Sequence, residues 1–274
     1  MLQGDILKLT QLLENNTPPN LDGDDEGYRS RVYGGQFLGQ GLLAALKKNG
    51  RQASSLKSLF MRPGMEEQPI DYETSTLGID NSIQKVEALQ NNKCLFVMMV
   101  DCGKYISPPK VDMPSVPSPS KCISREEGMK SLEDDSRSSW PVINSPFEYR
   151  FAENIWENSY RSPCHNVWFR VPKLPNKIGK SQKLQQAILA YFSDDNIMDN
   201  ALFPHAPIYS GYKKYETATL DHSMWFHSQI DVGDWILFAQ DSPVSRNGRG
   251  LTRGLFFNKA KQLIASAYQE ILVR

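Results

Sequence analysis

The chain has few cysteines, no net charge and no long apolar run, and each shortage excludes something. Cys94, Cys102, Cys122 and Cys164 stand far apart in 274 residues, with no CxxC pair and no histidine at metal-ligand spacing. That excludes a disulfide scaffold and a zinc module and suits unpaired thiols in a reducing compartment, with no cofactor or metal expected. Lysine and arginine total 31, as do aspartate and glutamate. Such a balance exerts no long-range pull on nucleic acid or an anionic membrane, so any polyanion must be met by a local basic pocket. No stretch approaches the roughly 18 apolar residues that span a bilayer, so no membrane insertion is expected. Residues 1–8, Met-Leu-Gln-Gly-Asp-Ile-Leu-Lys, lack the basic and apolar regions of a secretory leader. The C-terminal Leu-Val-Arg is not a Ser-Lys-Leu address. Cytoplasm is the default expectation.

What is present points to two domains, since 274 residues exceed the usual single core. Prolines 108, 109, 114, 117 and 119 lie among serines, and residues 106–145 read as a semi-rigid linker with a brief helix after Ser124. It separates an N-terminal unit, 1–105, from a C-terminal unit, 146–274. The first opens with an amphipathic helix over 5–14, carrying Ile6, Leu9, Leu12 and Leu13 on one stripe, and a short strand over 28–33. A second helix from Gln36 ends in lysines and an Asn49-Gly50 stop. It is small and apolar almost all round, and Gly39 and Gly41 would each cost about 1 kcal/mol in an exposed helix, so it reads as buried on all sides. Strands follow over 56–62, 70–77, 83–89 and 95–100, with a tight turn at Asn91-Asn92-Lys93. The C-terminal unit repeats the plan: strands over 147–152 and 167–171, a helix over 183–193, then strands over 216–226, 235–240, 250–256 and 263–272, with Asn258-Lys259-Ala260 turning the last hairpin. A buried helix followed by an antiparallel meander means a sheet wrapped round a helix, here an α+β fold duplicated within one chain.

Residues 183–221 carry the densest chemistry. Leu184, Ala187, Ile188, Tyr191 and Phe192 have the spacing of one buried helix face. The helix runs directly into Ser193, Asp194, Asp195 and Asn196. Carboxylates at the negative end of a helix dipole cost roughly 0.3–1 kcal/mol each when exposed, and the plain explanation is that Asp195 or Asn196 caps a short helix over 197–202. In the following strand Thr217, Thr219, Asp221, Ser223 and Trp225 share one parity and form a mostly polar face, while Ala218, Leu220, His222, Met224 and Phe226 share the other. The run Asp221-His222-Ser223 imitates a hydrolase triad, but neighbouring strand side chains point to opposite faces and cannot converge.

Taken with Phe203-Pro204-His205, Thr219-Leu-Asp-His-Ser-Met-Trp-Phe-His and Ala-Tyr-Gln269-Glu, and with Val32-Tyr-Gly-Gly-Gln36 and Phe60-Met-Arg-Pro-Gly64, this stretch resembles the acyl-CoA thioesterase II family over residues 27–274. The resemblance implies a double hotdog fold and hydrolysis of acyl-CoA by directly activated water. It assigns the water to Asp194 as base, to the Thr219 hydroxyl and to the Gln269 amide. The Gly34, Gly35 and Gln36 amides, at a helix N-terminus, are candidate oxyanion donors, though glycines there also serve close packing. For the phosphates of coenzyme A, Arg246, Arg249 and Arg253 form the densest basic cluster, with Arg62 another candidate, and either set also reads as a solvated rim. Phe37, Met61, Met224 and Trp225 are candidates for lining an acyl tunnel, or simply core. Lys57 stands where the family usually has a histidine in its first domain; it reads either as a coenzyme A phosphate contact or as a solvated lysine. Asn81 replaces a family glycine in a polar turn. The resemblance also implies association into dimers or larger assemblies, and peroxisomal relatives offer a second compartment.

Two other readings remain. A hotdog enoyl-CoA hydratase would need its Asp and His in a Gly-Asp-x-Asn-Pro type segment, which is absent. A catalytically silent acyl-CoA-binding hotdog protein is disfavoured by Asp194, Thr219 and Gln269, and kept alive by Lys57.

Overall fold

The computed structural model describes residues 31–65, 68–78, 80–103, 110–131, 145–157, 159–172, 174–207 and 214–274. The helix expected over 5–14 and most of the strand expected over 28–33 lie outside them; Arg31 forms one isolated bridge, to Met65.

In the N-terminal half, helix α1 (Gly34–Asn49) is buried along most of its length. It stops where expected: Gly50 adopts φ +85°, and its N–H bonds the Leu46 carbonyl at 3.0 Å. Strands β1 (Ser55–Phe60), β2 (Asp71–Leu77), β3 (Ile83–Gln90) and β4 (Lys93–Asp101) follow. Asn91 and Asn92, at φ 50° and 59°, supply the two left-handed residues of the β3–β4 turn. Alternate residues of β3 turn inward, so Val86 and Ala88 pack in the same core as α1.

The C-terminal half comprises β5 (Ile123–Ser124), α2 (Arg125–Ser131), β6 (Glu148–Phe151), β7 (Cys164–Arg170), α3 (Asn176–Gly179), α4 (Gln182–Phe192), α5 (Asp199–Leu202), β8 (Thr217–Thr219), β9 (Asp221–Phe226), β10 (Ile236–Arg246), β11 (Arg249–Asn258) and β12 (Leu263–Val273). The short helix expected over 197–202 begins two residues later than expected. Strands β10 and β11 run further than expected. Asn247 and Gly248, at φ 55° and 76°, close a two-residue hairpin, a strong turn signal hidden among the arginines.

All strands join one antiparallel sheet in the order β2-β3-β4-β1-β9-β12-β11-β10-β7-β6-β5, with β8 alongside β12. The seam between the halves is the β1–β9 pair, with Ser55 opposite Trp225 and Leu59 opposite Asp221. Helices α1 and α4 meet beneath it. This is the double hotdog architecture.

Helix α4 has no solvent face: residues 184–192 are all buried, including Gln185 and Gln186. The polar side of the helix therefore needs partners inside the protein. Gln186 lies across the halves: its Oε1 accepts from Ala53 N–H at 3.0 Å and its Nε2 donates to the Ala53 carbonyl at 2.8 Å. Gln182 makes the same pair with Ile230, at 3.0 and 2.8 Å. Gln186→Ala removes the glutamine bonds to both Ala53 groups; at ~0.5–1.5 kcal/mol per buried hydrogen bond, urea unfolding should show a loss of about 1 kcal/mol or more.

The proline-rich segment is more than a spacer. Met113, Val116 and Cys122 pack on Trp168, Leu237, Phe257 and Leu263, on the face of the C-terminal sheet away from α4. Trp168 Nε1 donates to the Pro117 carbonyl at 3.0 Å. Strand β5 then extends the sheet beside β6. A capping box starts α2: Ser124 N–H donates to Glu127 at 2.8 Å, and Glu127 N–H donates to Ser124 Oγ at 3.1 Å.

Candidate active site at the seam of the two halves

The end of α4 faces the start of α1. A side chain at Gly35 would overlap the Tyr191 carbonyl oxygen, and a Cβ at Gly34 would lie 2.5 Å from Asp194 Oδ2. The missing side chains let the positive end of one helix sit against the carboxylate that ends the other. The dipole cost expected for Asp194 at its own helix is thereby offset by a second helix. Asp195 is used differently: its Oδ2 accepts from the Tyr149 hydroxyl at 2.5 Å.

Asp194 is 3% exposed. Burial pushes its carboxyl up to about 6, against three donors that favour the charged form: the Thr219 hydroxyl, the Gln269 amide and the Gly35 N–H. Thr219 Oγ1 donates to Asp194 Oδ1 at 2.9 Å, and Gln269 Nε2 donates to Thr219 Oγ1 at 3.1 Å. Asp194, Thr219 and Gln269, distant in sequence, are thus in contact.

Strand parity would have separated Thr219 from His222, and a bulge reunites them. Phe226 pairs with Ala265 and Ser223 with Tyr268, but Thr219 pairs with Ile271. Seven steps along one strand match six along the other, so one extra residue sits between β8 and β9. The expected continuous strand breaks at Leu220, whose N–H reaches the Glu270 carbonyl at 2.9 Å. Past the bulge the pleat reverses, and Thr219 joins His222 and Gln269 on the inner face.

Sequence reasoning missed the next members. His222 Nδ1 lies 2.7 Å from Gln269 Oε1, and His222 Nε2 lies 2.9 Å from Ser193 Oγ. Both His222 and Ser193 are fully buried and lie behind the Gln269 amide, on its side away from Thr219, so the pair supports the amide and does not read as a nucleophile. Burial lowers His222 to about 4, keeping it neutral. Asp221 accepts from Glu270 N–H at 2.8 Å, away from His222, so the contiguous Asp-His-Ser run is indeed no triad.

Other expected residues lie elsewhere. Of the three amides at the start of α1, Gly35 N–H serves Asp194 and Gln36 N–H bonds the Tyr33 carbonyl at 3.0 Å, so neither is free for an oxyanion. Lys57 is exposed on the outer face of β1; its Nζ is 3.3 Å from Ser55 Oγ and 5.6 Å from the centre of the Trp225 ring. Strand alternation turns it away from Asp194, as it does Trp225, which meets Tyr268 edge-on. Met61 is exposed as well, whereas Phe37 and Met224 are core. Arg246 and Arg249 flank the Asn247-Gly248 turn. Arg249 pairs with Glu270 at 3.2 Å and Arg253 with Asp241 at 2.7 Å, so the basic cluster is partly neutralised. Arg62 donates to the Cys94 carbonyl at 2.7 Å. Asn81 holds φ 59°, the left-handed geometry a glycine would otherwise supply. Among the described residues no cluster of metal-binding side chains occurs, and no helix is long and apolar enough to cross a membrane.

The fold is a double hotdog, and a carboxylate, a hydroxyl and an amide meet inside it at the seam. The chain is 31% identical over 267 residues to Acyl-CoA thioesterase 2 of Haemophilus influenzae, covering 92% of this chain and 91% of that one. It belongs to the acyl-CoA thioesterase family. The family model described as acyl-CoA thioesterase matches residues 148–272. Acyl-coenzyme A thioesterase 8 of Mus musculus is 28% identical over 263 residues, covering 89% of this chain and 80% of that one. Among solved structures, an acyl-CoA thioesterase II, TesB2, from Mycobacterium marinum superposes with a TM-score of 0.72 at 24% identity, over 96% of this chain and 97% of that one.

Proposed function

We propose that the protein hydrolyses fatty acyl-CoA to free fatty acid and coenzyme A by direct attack of a water held by Asp194, Thr219 and Gln269. The observation that carries this reading is the Asp194 carboxylate, buried, raised to about 6 and surrounded by three donors. A base poised there takes a proton from water at neutral pH and returns it to the departing thiolate. Water oxygen bonds the thioester carbon while Asp194 accepts the proton; collapse of the tetrahedral intermediate breaks the carbon–sulfur bond. The Gly34 N–H, with no partner among the described residues, is left as the oxyanion donor at the start of α1.

Thiol release from a series of acyl-CoA chain lengths tests the reading, with Asp194→Asn as control and thermal melts of both proteins. Hydrolysis by wild type that the folded variant lacks supports function and site together. Wild type that binds acyl-CoA without cleaving it overturns the function in favour of silent binding, a reading that Lys57, on the outer face, no longer favours. Because Asp194 must be ionised to act as base, kcat/KM should rise with pH and reach half its plateau near pH 6.

Assembly into dimers or larger units is part of the same proposal, supported by Leu59 and Tyr268 exposed on the outer face beside the seam and checked by light scattering. A reducing compartment, cytoplasm first, is supported by four unpaired cysteines.

A further inference from the structure

We infer that His222 is a positioning residue for the hydrolysis, held as the neutral Nδ1–H tautomer so that it fixes which way the Gln269 amide faces. The inference rests on the assignment of Asp194, Thr219 and Gln269 above and adds a residue that touches none of the reacting atoms.

Counting donors gives the series its direction. A carboxylate can only accept, so the Thr219 proton must point to Asp194 Oδ1, 2.9 Å away. Thr219 Oγ1 must then accept from Gln269, at 3.1 Å, which requires the NH₂ end of the amide there. The other N–H of that group reaches Asp194 itself. Gln269 Oε1 is left facing His222 Nδ1 at 2.7 Å, and this contact needs a proton on Nδ1. His222 Nε2 then accepts, and Ser193 Oγ at 2.9 Å supplies the proton by turning it away from the Ala190 carbonyl, 2.8 Å off. Every donor in the series Ser193, His222, Gln269, Thr219 points toward Asp194.

The opposite tautomer reverses the series. With the proton on Nε2, His222 donates to Ser193, which passes its own proton to the Ala190 carbonyl at 2.8 Å. Nδ1 becomes an acceptor, Gln269 turns its NH₂ toward it, and its carbonyl faces Thr219. Thr219 then donates to Gln269, and Asp194 has to be protonated to complete the series. The reversed network is satisfied too, but it holds an acid where a base is needed. Gln269 itself is fully buried, so bulk solvent does not set its orientation, and burial of His222 keeps it uncharged. The one proton on His222 decides.

Two substitutions separate the donor from the bulk of the ring. The amide nitrogen of His222→Asn stands where Nδ1 stands, and that of His222→Gln stands where Nε2 stands. His222→Asn should keep kcat within about threefold of wild type, whereas His222→Gln should lower it about 10–100-fold, the scale of one buried hydrogen-bond partner lost. KM should stay within about twofold in both, because neither side chain meets substrate. Equal losses in the two variants, or losses confined to KM, overturn the inference. Should wild type release no thiol, or a variant melt before assay, long-range proton–nitrogen correlation spectra of the wild-type imidazole decide the matter alone. A neutral Nδ1–H ring on His222 supports the inference; an Nε2–H or doubly protonated ring overturns it. Wild-type inactivity with an Nδ1–H ring would sink the hydrolase reading and leave the network assignment standing.

Discussion

Asp194→Asn is expected to lower kcat by roughly 10²–10⁴-fold, the contribution of a positioned general base, and to change the pH dependence of stability as well. The second effect follows from the folded-state carboxyl near 6, above its ordinary value near 4. A raised carboxylate binds its proton more tightly in the folded state. Its contribution to stability is therefore full below the unfolded pKa and is lost as pH rises through the folded one. Between about pH 4 and pH 6 wild type should give up on the order of 3 kcal/mol from this group, since a tenfold change in proton affinity is worth about 1.4 kcal/mol. Melting temperature of wild type should fall across that window beyond what the remaining carboxylates produce, and the slope should flatten in Asp194→Asn. A variant that loses activity while keeping the wild-type slope would mean that Asp194 is not the group held at that value.

The second large effect concerns the paired glycines, which should separate activity from stability. A methyl group at Gly35 meets the Tyr191 carbonyl oxygen, a backbone atom at the end of α4 that cannot turn aside. Gly35→Ala must push the two central helices apart, an overpacking cost of about 1–3 kcal/mol or more, seen as a melting temperature lower by roughly 2–12 °C. It also draws the Gly35 N–H away from Asp194. A methyl group at Gly34 meets instead the Asp194 side chain, which can rotate. Gly34→Ala should therefore melt closer to wild type than Gly35→Ala does, yet lose most activity, since the rotated carboxylate leaves Thr219. If Gly34→Ala is fully active, the approach of α1 to Asp194 has no catalytic meaning.

Much of the fold is legible because its signals are local. The Asn49-Gly50 helix stop, the Asn91-Asn92 turn and the period of α4 are each written within a few residues, and each forms as expected. The Asn247-Gly248 turn is equally local, but the arginines beside it favour a charge interpretation that hides it. The site is legible in its members but not in its geometry. Thr219 and His222 differ in parity, and nothing within 216–226 announces the extra residue that brings them to one face; the bulge is set by pairing with β12, about fifty residues on. The buried glutamines of α4, Gln185 and Gln186, find partners at Val232 and Ala53, in loops that periodicity does not see. The place of Lys57 in a motif suggests a substrate contact, whereas strand alternation around Leu56 and Ser58 already points it outward.

Cutting the chain at its seam would part the site from its support. Asp194, Thr219 and Gln269 all lie within residues 148–272, so that segment alone carries every proposed catalytic side chain. It does not carry the Gly35 amide that meets Asp194, nor β1, which occupies the open edge of β9. Expressed alone, either half would present an unpaired strand edge and an uncovered helix face, and neither would turn over substrate. Supplied together as separate chains, they have a long antiparallel edge and the Gln186–Ala53 lock to find one another. Thioester hydrolysis would then report their meeting, making the chain a natural split enzyme whose signal is the closing of a single sheet.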